Sequence, residues 1–539
     1  MTKIQIYDTT LRDGTQSEDI SLNTEDKIKL ALKLDELGVD FIEGGWPGSN
    51  PVDRAFFSEI GNYHLGHARI TAFGSTHHPN FRPEDDPNLR NLLDSGAAVC
   101  TIFGKSWDIH ATEALRVPVE RNLEIIHDSV AFLRSQKAEV FFDAEHFFDG
   151  YKANPEYALA AIGKAFAGGA SVLVLCDTNG GTLPHEIGEI VTAVRAHLPK
   201  AALGVHAHND CEMAVANSVA AVRAGATQVQ GTINGVGERC GNANLCSIIP
   251  VLTLKCAEAY TTIPHDRLPL LTTASSYVSD VANLQPFSRQ PFVGRSAFAH
   301  KGGVHASAVN RMSMLYEHMD PKEVGNRQRV LLTELAGRAN IVNMARRFGF
   351  HLDKDEPVVK GLLNELKARS SMGYDYAAAE ASVELLLLKK LARRGVREFF
   401  QLVQFRVLEL KDSSDREPIS EASVRVQVEG VTEHTAATGH GPVNALDTAL
   451  RKALVGFYPR LTEMRLLDFK VRVMTATDPS GGGTASVVRV LIESGDARSR
   501  WVTVGVSYNI IEASWQALVD SITYKLYRDE YETRRNDEE

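Results

Sequence analysis

The chain lacks most of the short motifs that would fix a function quickly. It has no Gly-x-x-x-x-Gly-Lys-Ser/Thr phosphate loop and no Gly-x-Ser-x-Gly elbow, so ATPase and serine-hydrolase readings lose their best support. No apolar run reaches the roughly 18 residues a transmembrane helix needs. The opening residues read directly as a strand, so no leader peptide is expected. Only six cysteines occur, at 100, 176, 211, 240, 246 and 256, and none forms Cys-x-x-Cys. They read as reduced thiols of a cytosolic protein. Basic clusters are short too. The longest, Lys389-Lys390 with Arg393-Arg394, reads as a solvated helix face, and the net charge is −10. Nucleic acid is therefore a poor expected partner, and a membrane is no better. Gly235-x-Gly237-x-x-x-Gly241 has one residue too many for a dinucleotide fingerprint and follows a late strand instead of opening a βαβ unit.

What is present is length and alternation. At 539 residues the chain exceeds one core, and two to four domains are expected. The composition is that of an ordinary soluble globular chain. Short β-branched runs at 3–7, 41–44, 70–73, 99–103, 139–142, 172–175, 202–206 and 228–231 alternate with helical periodicity, as at 24–37, 119–134, 154–166, 183–197 and 211–223. Parallel strands need helical crossovers, and eight such units in about 250 residues match a closed (β/α)8 TIM barrel. A doubly wound sheet is the alternative. It calls for a glycine-rich turn after the first strand, where this chain has Asp8-Thr-Thr-Leu-Arg-Asp-Gly-Thr-Gln16.

The expected organisation is a barrel over 1–262, helical linker subdomains over 263–395, a C-terminal α+β domain over 396–530 and a charged tail over 531–539. In the third region Val424-Arg-Val426 recurs as Val488-Arg-Val490, Gly441 as Gly505, and Ala453-Leu454 as Ala517-Leu518. This internal two-fold repeat predicts two strand–strand–helix units, with Pro479–Thr484 as a mobile loop between strands.

Barrels carry their chemistry at the C-terminal strand ends. Those ends hold Asp8, Arg12 and Asp13; Glu43; Asp143 and Glu145; Asp177 and Thr178; His206 and His208; and the segment leading to Asn242. Side chains two apart on a strand share a face, so His206 and His208 can converge on one cation. Alone, such a pair is as compatible with structural histidines. With Asp13 and Asn242 at other strand ends, a mixed nitrogen and oxygen site suits a divalent cation. Asp8, Glu43 and Asp143 can equally pair with basic neighbours or cap the next helix.

Three segments, Asp8–Gln16, His206-Ala-His-Asn-Asp210 and Gly235-Val-Gly-Glu-Arg-Cys-Gly-Asn242, together resemble the 2-isopropylmalate synthase/homocitrate synthase/citramalate synthase family. The resemblance covers nearly the whole chain. Residues 43–51, 103–108 and 144–152 are similar to the citramalate branch in particular. It implies a metal-dependent acyltransferase that condenses acetyl-CoA with a keto acid and hydrolyses the thioester. Pyruvate would be the acceptor on the citramalate branch, serving isoleucine biosynthesis, and 2-oxoisovalerate on the isopropylmalate branch, serving leucine biosynthesis.

Residue by residue, the resemblance implies that Asp13, His206 and His208 bind the cation (Mg, Mn, Zn or Co) with Asn242 in its shell. Arg12 faces the keto oxygen, Glu145 completes an Asp-Arg-Glu set, and Thr178 meets the keto-acid carboxylate. His305 and Tyr316 supply the base from the linker region, over the barrel of a partner subunit, in a homodimer or larger homo-oligomer. The C-terminal domain, through residues 439–446, is implied to be regulatory and to sense isoleucine or leucine, though dimerisation alone would also explain it. Two further readings are a lyase of the same superfamily running carbon–carbon cleavage and an amino-acid sensor on a dead barrel. The C-terminal repeat argues against the first, and the intact strand-end residues against the second.

Overall fold

The computed structural model describes residues 1–136, 138–300, 305, 308–309, 311–330, 338–347, 350–376, 378–391, 398–412, 417–474 and 486–538. The expected loop at Pro479–Thr484, the residues Gly302–Val304, and Arg393-Arg394 lie outside them. The chain forms two compact units, residues 1–298 with 319–328, and residues 299–318 with 329–539.

In the first unit eight parallel strands close a barrel in chain order: β1 Gln5–Asp8, β2 Phe41–Gly45, β3 Arg69–Ser75, β4 Val99–Lys105, β5 Glu139–Glu145, β6 Val172–Asp177, β7 Leu203–Ala207 and β8 Gln228–Gly231. The ring closes between β1 and β8, with Gln5 beside Gln228 and Asp8 beside Gly231. The TIM-barrel expectation is thus what the chain adopts. Helices follow the strands: α1 Thr24–Leu37, α2 Pro51–Ile60, α3 Pro87–Asp94, α4 Val119–Ser135, α5 Phe147–Ala153, α6 Pro155–Gly168, α7 Pro184–His197, α8 Ala214–Ala224 and α9 Leu245–Pro250. Their starts are written in the sequence. Asn23 and Asp26 form a reciprocal capping box on α1, and Asn50, Asp86 and Asn154 cap α2, α3 and α6 just ahead of a proline. At the end of α1, Gly38 takes φ +90°, and a Cβ there would meet the Pro264 Cδ at 2.8 Å.

The barrel interior is layered. Tyr7, Phe41, Val99, Phe141, Val172, Val174 and Cys176 form a buried apolar layer. Next to it lie buried polar side chains, Glu43, Thr71, Thr101, Asp143, His206 and Gln230. The Tyr7 hydroxyl joins the two layers, donating to Glu43 Oε1 (2.6 Å) and meeting Thr71 and Thr101 at 2.8 and 2.9 Å. A further helix, α10 Leu271–Val281, packs on α1, and the Ser275 carbonyl accepts from Asn234.

The second unit contains α11 Arg338–Arg347, α12 Pro357–Ser371 and α13 Glu380–Leu391, around Ile341, Leu362, Leu366, Val383 and Leu387. Two three-stranded antiparallel sheets follow. The first is β9 Gln401–Leu410, β10 Ile419–Val428 and β11 Val431–Gly439, packed by α14 Pro442–Leu454. The second is β12 Arg465–Val473, β13 Val488–Gly495 and β14 Arg500–Ser507, packed by α15 Ile510–Glu538. Residues 531–538, expected as a charged tail, continue this helix.

The two-fold repeat is real, but each copy has three strands, and its register differs from the sequence match. The Thr435 hydroxyl donates to the Ala449 carbonyl, and the Thr503 hydroxyl to the Ala517 carbonyl, both at 2.7 Å. These pairs stand 68 residues apart, whereas the sequence match stood 64 apart. A slip of four residues is about one helical turn and two strand periods, so it keeps every apolar face and hides the error. The glycines do not correspond either. Gly441 precedes α14, but Gly505 lies inside β14, and the first turn of α15 is capped by the Asn509 side chain. Strand β11 escaped the sequence reading because Val431–Gly439 is mostly Thr, Ala, Glu and His. Its signal was the tight turn at Glu429-Gly430, both at positive φ. Among the described residues no helix is long and apolar enough to cross a membrane.

Candidate active site

The loop after β1 and the end of β7 bring three ligating groups together. Asp13 Oδ2 lies 3.4 Å from His206 Nε2 and 4.0 Å from His208 Nε2, and the two Nε2 atoms are 3.3 Å apart. One ligand atom from each of Asp13, His206 and His208 falls within 4.8 Å of the others, and all three residues are buried. Asn242, 1% exposed, joins His208 through a backbone bridge. Asp13 Oδ1 and Asn242 Oδ1 are buried acceptors with no hydrogen-bond partner in the protein. Two imidazole nitrogens, a carboxylate and unfilled buried oxygens are a donor set that fits a divalent cation. Gly237, at φ +157°, makes room for this arrangement, since a Cβ there would meet Asn242 Nδ2 at 2.1 Å.

Protonation is tuned to the same end. Burial opposes the Asp13 charge, but Arg12, His206 and His208 outweigh it and hold the carboxyl well below the usual range. Burial and the neighbouring His206 bring His208 down to about 4, leaving a neutral ring with a free lone pair at neutral pH. Burial also disfavours a charged His206, yet the hydrogen bond and charge of Asp13 raise it.

Arg12 is fixed on both sides. Its Nε donates to Glu43 Oε2 at 2.6 Å, its NH1 lies 3.4 Å from Asp13, and its guanidinium stacks 3.7 Å over the Phe73 ring. Phe73 stacks on Phe103 at 5.5 Å, and Trp46 closes edge-on against both. The Thr9 hydroxyl holds the same Glu43 carboxylate. The glutamate that completes an Asp-Arg-Glu set by contact is therefore Glu43. Glu145, expected in that place, instead pairs with Lys105. The reason is barrel order: β2 pairs with β1, whereas β5 pairs only with β4 and β6.

Thr178 follows β6. Its hydroxyl accepts from the His146 backbone N–H at 2.8 Å, and its carbonyl accepts from Arg239 at 2.7 Å. The hydroxyl proton stays available to a further acceptor. Arg239 also forms a bidentate pair with Asp210, at 2.8 and 2.9 Å, clasping the loops after β7 and β8, where Cys211 and Cys240 are exposed. Among the described residues, five non-glycine residues with positive φ, Arg116, His146, Glu212, Asn234 and Arg239, lie in loops at the C-terminal barrel face, the kind of strain that functional loops hold. In the second unit, the His305 and Tyr316 rings stack with centroids 4.1 Å apart, and both residues are exposed.

The sequence reading also passed over Gln230. It lies opposite His206 in the β7–β8 register, contacts that ring, and reaches Asp143. The alternation of β8 together with the pairing of neighbouring strands could have found it.

Three family profiles match in succession: HMGL-like over residues 3–271, homocitrate synthase post-HMGL domain-like over 292–373, and the LeuA allosteric (dimerisation) domain over 377–526. A curated (R)-citramalate synthase of Geobacter sulfurreducens is 55% identical, covering 98% of this chain and 99% of its own. That of Aquifex aeolicus is 52% identical over the same shares. The 2-isopropylmalate synthase of Aquifex aeolicus is more distant, at 30% over 99% of this chain and 98% of its own. With more than half its residues shared along essentially its full length, and its barrel and C-terminal repeat both matched, this chain belongs to the (R)-citramalate synthase family.

Proposed function

We propose that this chain condenses acetyl-CoA with pyruvate and hydrolyses the thioester, giving (R)-citramalate and CoA. The observation that carries the proposal is the Asp13–His206–His208 cluster beside Arg12 at the barrel mouth. Asp13, His206 and His208 would hold a divalent cation (Mg, Mn, Zn or Co), with Asn242 facing it. When bound, that cation supplies a Lewis acid for the keto group and the alkoxide that replaces it.

Arg12 offers a preorganised positive donor to the keto oxygen, and Glu43 keeps it aimed. Thr178 donates its free hydroxyl proton to the acceptor's carboxylate. Glu145, held by Lys105, stands at the end of β5 as a carboxylate for proton transfer. The base for the acetyl methyl proton is His305 with Tyr316, whose stacked and exposed rings are free to meet the barrel of a second copy of the chain. The new bond joins the methyl carbon to the keto carbon. Water then cleaves the thioester and releases CoA. The enzyme acts as a homodimer or larger homo-oligomer in the cytosol, and its C-terminal domain takes isoleucine first and leucine second as inhibitor.

The test is release of free CoA thiol from acetyl-CoA with pyruvate, 2-oxoisovalerate or 2-oxoglutarate. Pyruvate is expected to give the fastest release. Faster release with 2-oxoisovalerate moves the assignment to 2-isopropylmalate synthase.

A further inference from the structure

Gln230 sits on β8 directly beside His206 on β7. Its Oε1 lies 2.9 Å from His206 Nδ1, and its Nε2 donates to Asp143 Oδ1 at 3.1 Å. Gln230 is fully buried and Asp143 is 4% exposed, so neither borrows a partner from bulk water. With Asp143 ionised, one arrangement satisfies the row. The amide nitrogen faces the carboxylate, the amide oxygen faces the ring, and the ring answers with Nδ1–H. In the neutral ring the Nε2 lone pair then points at the space shared with Asp13 and His208. We propose that Gln230 is a positioning residue, which fixes the tautomer and ring orientation of His206 and ties it through Asp143 to the barrel wall.

The chemistry of the amide adds a consequence. Metal-binding histidines commonly lean on a carboxylate, which makes the ring a stronger donor. Here a neutral amide stands between ring and carboxylate. His206 is oriented without that added basicity, which suits a cation held loosely enough to keep its Lewis acidity. Replacing Gln230 by glutamate puts a carboxylate on Nδ1–H, with one proton shared between it and Asp143 because two buried carboxylates this close cannot both ionise, and is expected to tighten the cation.

The inference rests on the cation site proposed above. The experiment is calorimetric titration of Mn2+ into metal-free full-length protein, with melting of the metal-free samples alongside. Gln230→Met keeps the side-chain length and loses the acceptor. It is expected to weaken Mn2+ binding roughly ten- to hundredfold, and to lower the metal-free melting temperature, since the buried His206 Nδ1–H and Asp143 carboxylate both lose their partner. Gln230→Glu is expected to bind at least as tightly as wild type. Mn2+ binding by Gln230→Met within twofold of wild type overturns the role of Gln230. So does tenfold weaker binding by Gln230→Glu, which decides the question alone if the Met variant does not fold. Wild-type protein that takes up no Mn2+ refutes the cation site itself, a different result from intact wild-type binding that is indifferent to Gln230.

Discussion

Asp13 Oδ1 and Asn242 Oδ1 are buried acceptors with no donor in the protein. Each costs about 1–3 kcal/mol while unpaired, and a cation between them removes that cost. Divalent cations are therefore expected to raise the melting temperature. His206→Ala and His208→Ala should each lose this rise and all turnover, while the metal-free protein melts close to wild type. Full activity after chelation would remove the cation from the mechanism. Glu43 makes a second test. It holds Arg12 without touching the ligand cluster, so Glu43→Gln should keep cation affinity and lower kcat roughly tenfold or more, with KM for pyruvate less affected. An unchanged kcat would show that Arg12 needs no anchor. The ligand cluster was legible because each member stands in a strand-end motif. Glu43 as the partner of Arg12 was not, because Glu43 and Glu145 both end strands. Only the ring order, with β2 beside β1, tells them apart.

Among elements, helix α15 is held by a buried ammonium. Lys525 is 1% exposed, with Asp496 at 2.8 Å, Asp529 at 3.0 Å and Glu463 at 3.1 Å. Burial raises the Asp496 pKa, but Lys525 and the backbone N–H groups of Arg498 and Ser499 outweigh it, and the carboxyl falls to about 2. A depressed folded value means that the contribution to stability is complete above the unfolded value near 3.9. It is lost as the pH falls toward 2. Asp496→Asn should thus melt below wild type at pH 7, and the gap should close as the pH drops through 4 toward 3. A gap that stays constant over that range would assign the effect to packing. Most helices and all eight barrel strands could be read from periodicity and caps. The repeat register could not, since a four-residue slip returns each side chain to its own face in helix and strand alike. The paired Thr435 and Thr503 hydroxyl contacts settle it.

For the whole molecule, the proposed effector domain is separable in sequence from the proposed chemistry. Truncation near Arg394 should abolish inhibition by isoleucine, and a fall in basal activity with it would show that the removed segment helps hold the oligomer. Millimolar isoleucine, leucine and valine that change neither the rate nor the melting temperature of the full chain would leave the C-terminal domain with dimerisation alone. The barrel and the two-fold domain were both visible as alternation and repeat. The extent of each compact unit was not, because α10 follows the last barrel helix without a break in composition, and its place on α1 is a matter of packing.

The thiols divide along the same architecture. Cys100 in β4 and Cys246 in α9 are buried, which raises both to about 12, and Cys176 in β6 is raised by burial as well. Cys211 and Cys240 are exposed, on the loops clasped by Arg239 and Asp210. Alkylating dyes will therefore react first beside the barrel mouth, then at half-buried Cys256, and leave the three buried thiols intact. A fluorophore at either position becomes a reporter of when that mouth opens or fills, obtained without adding or removing a single cysteine.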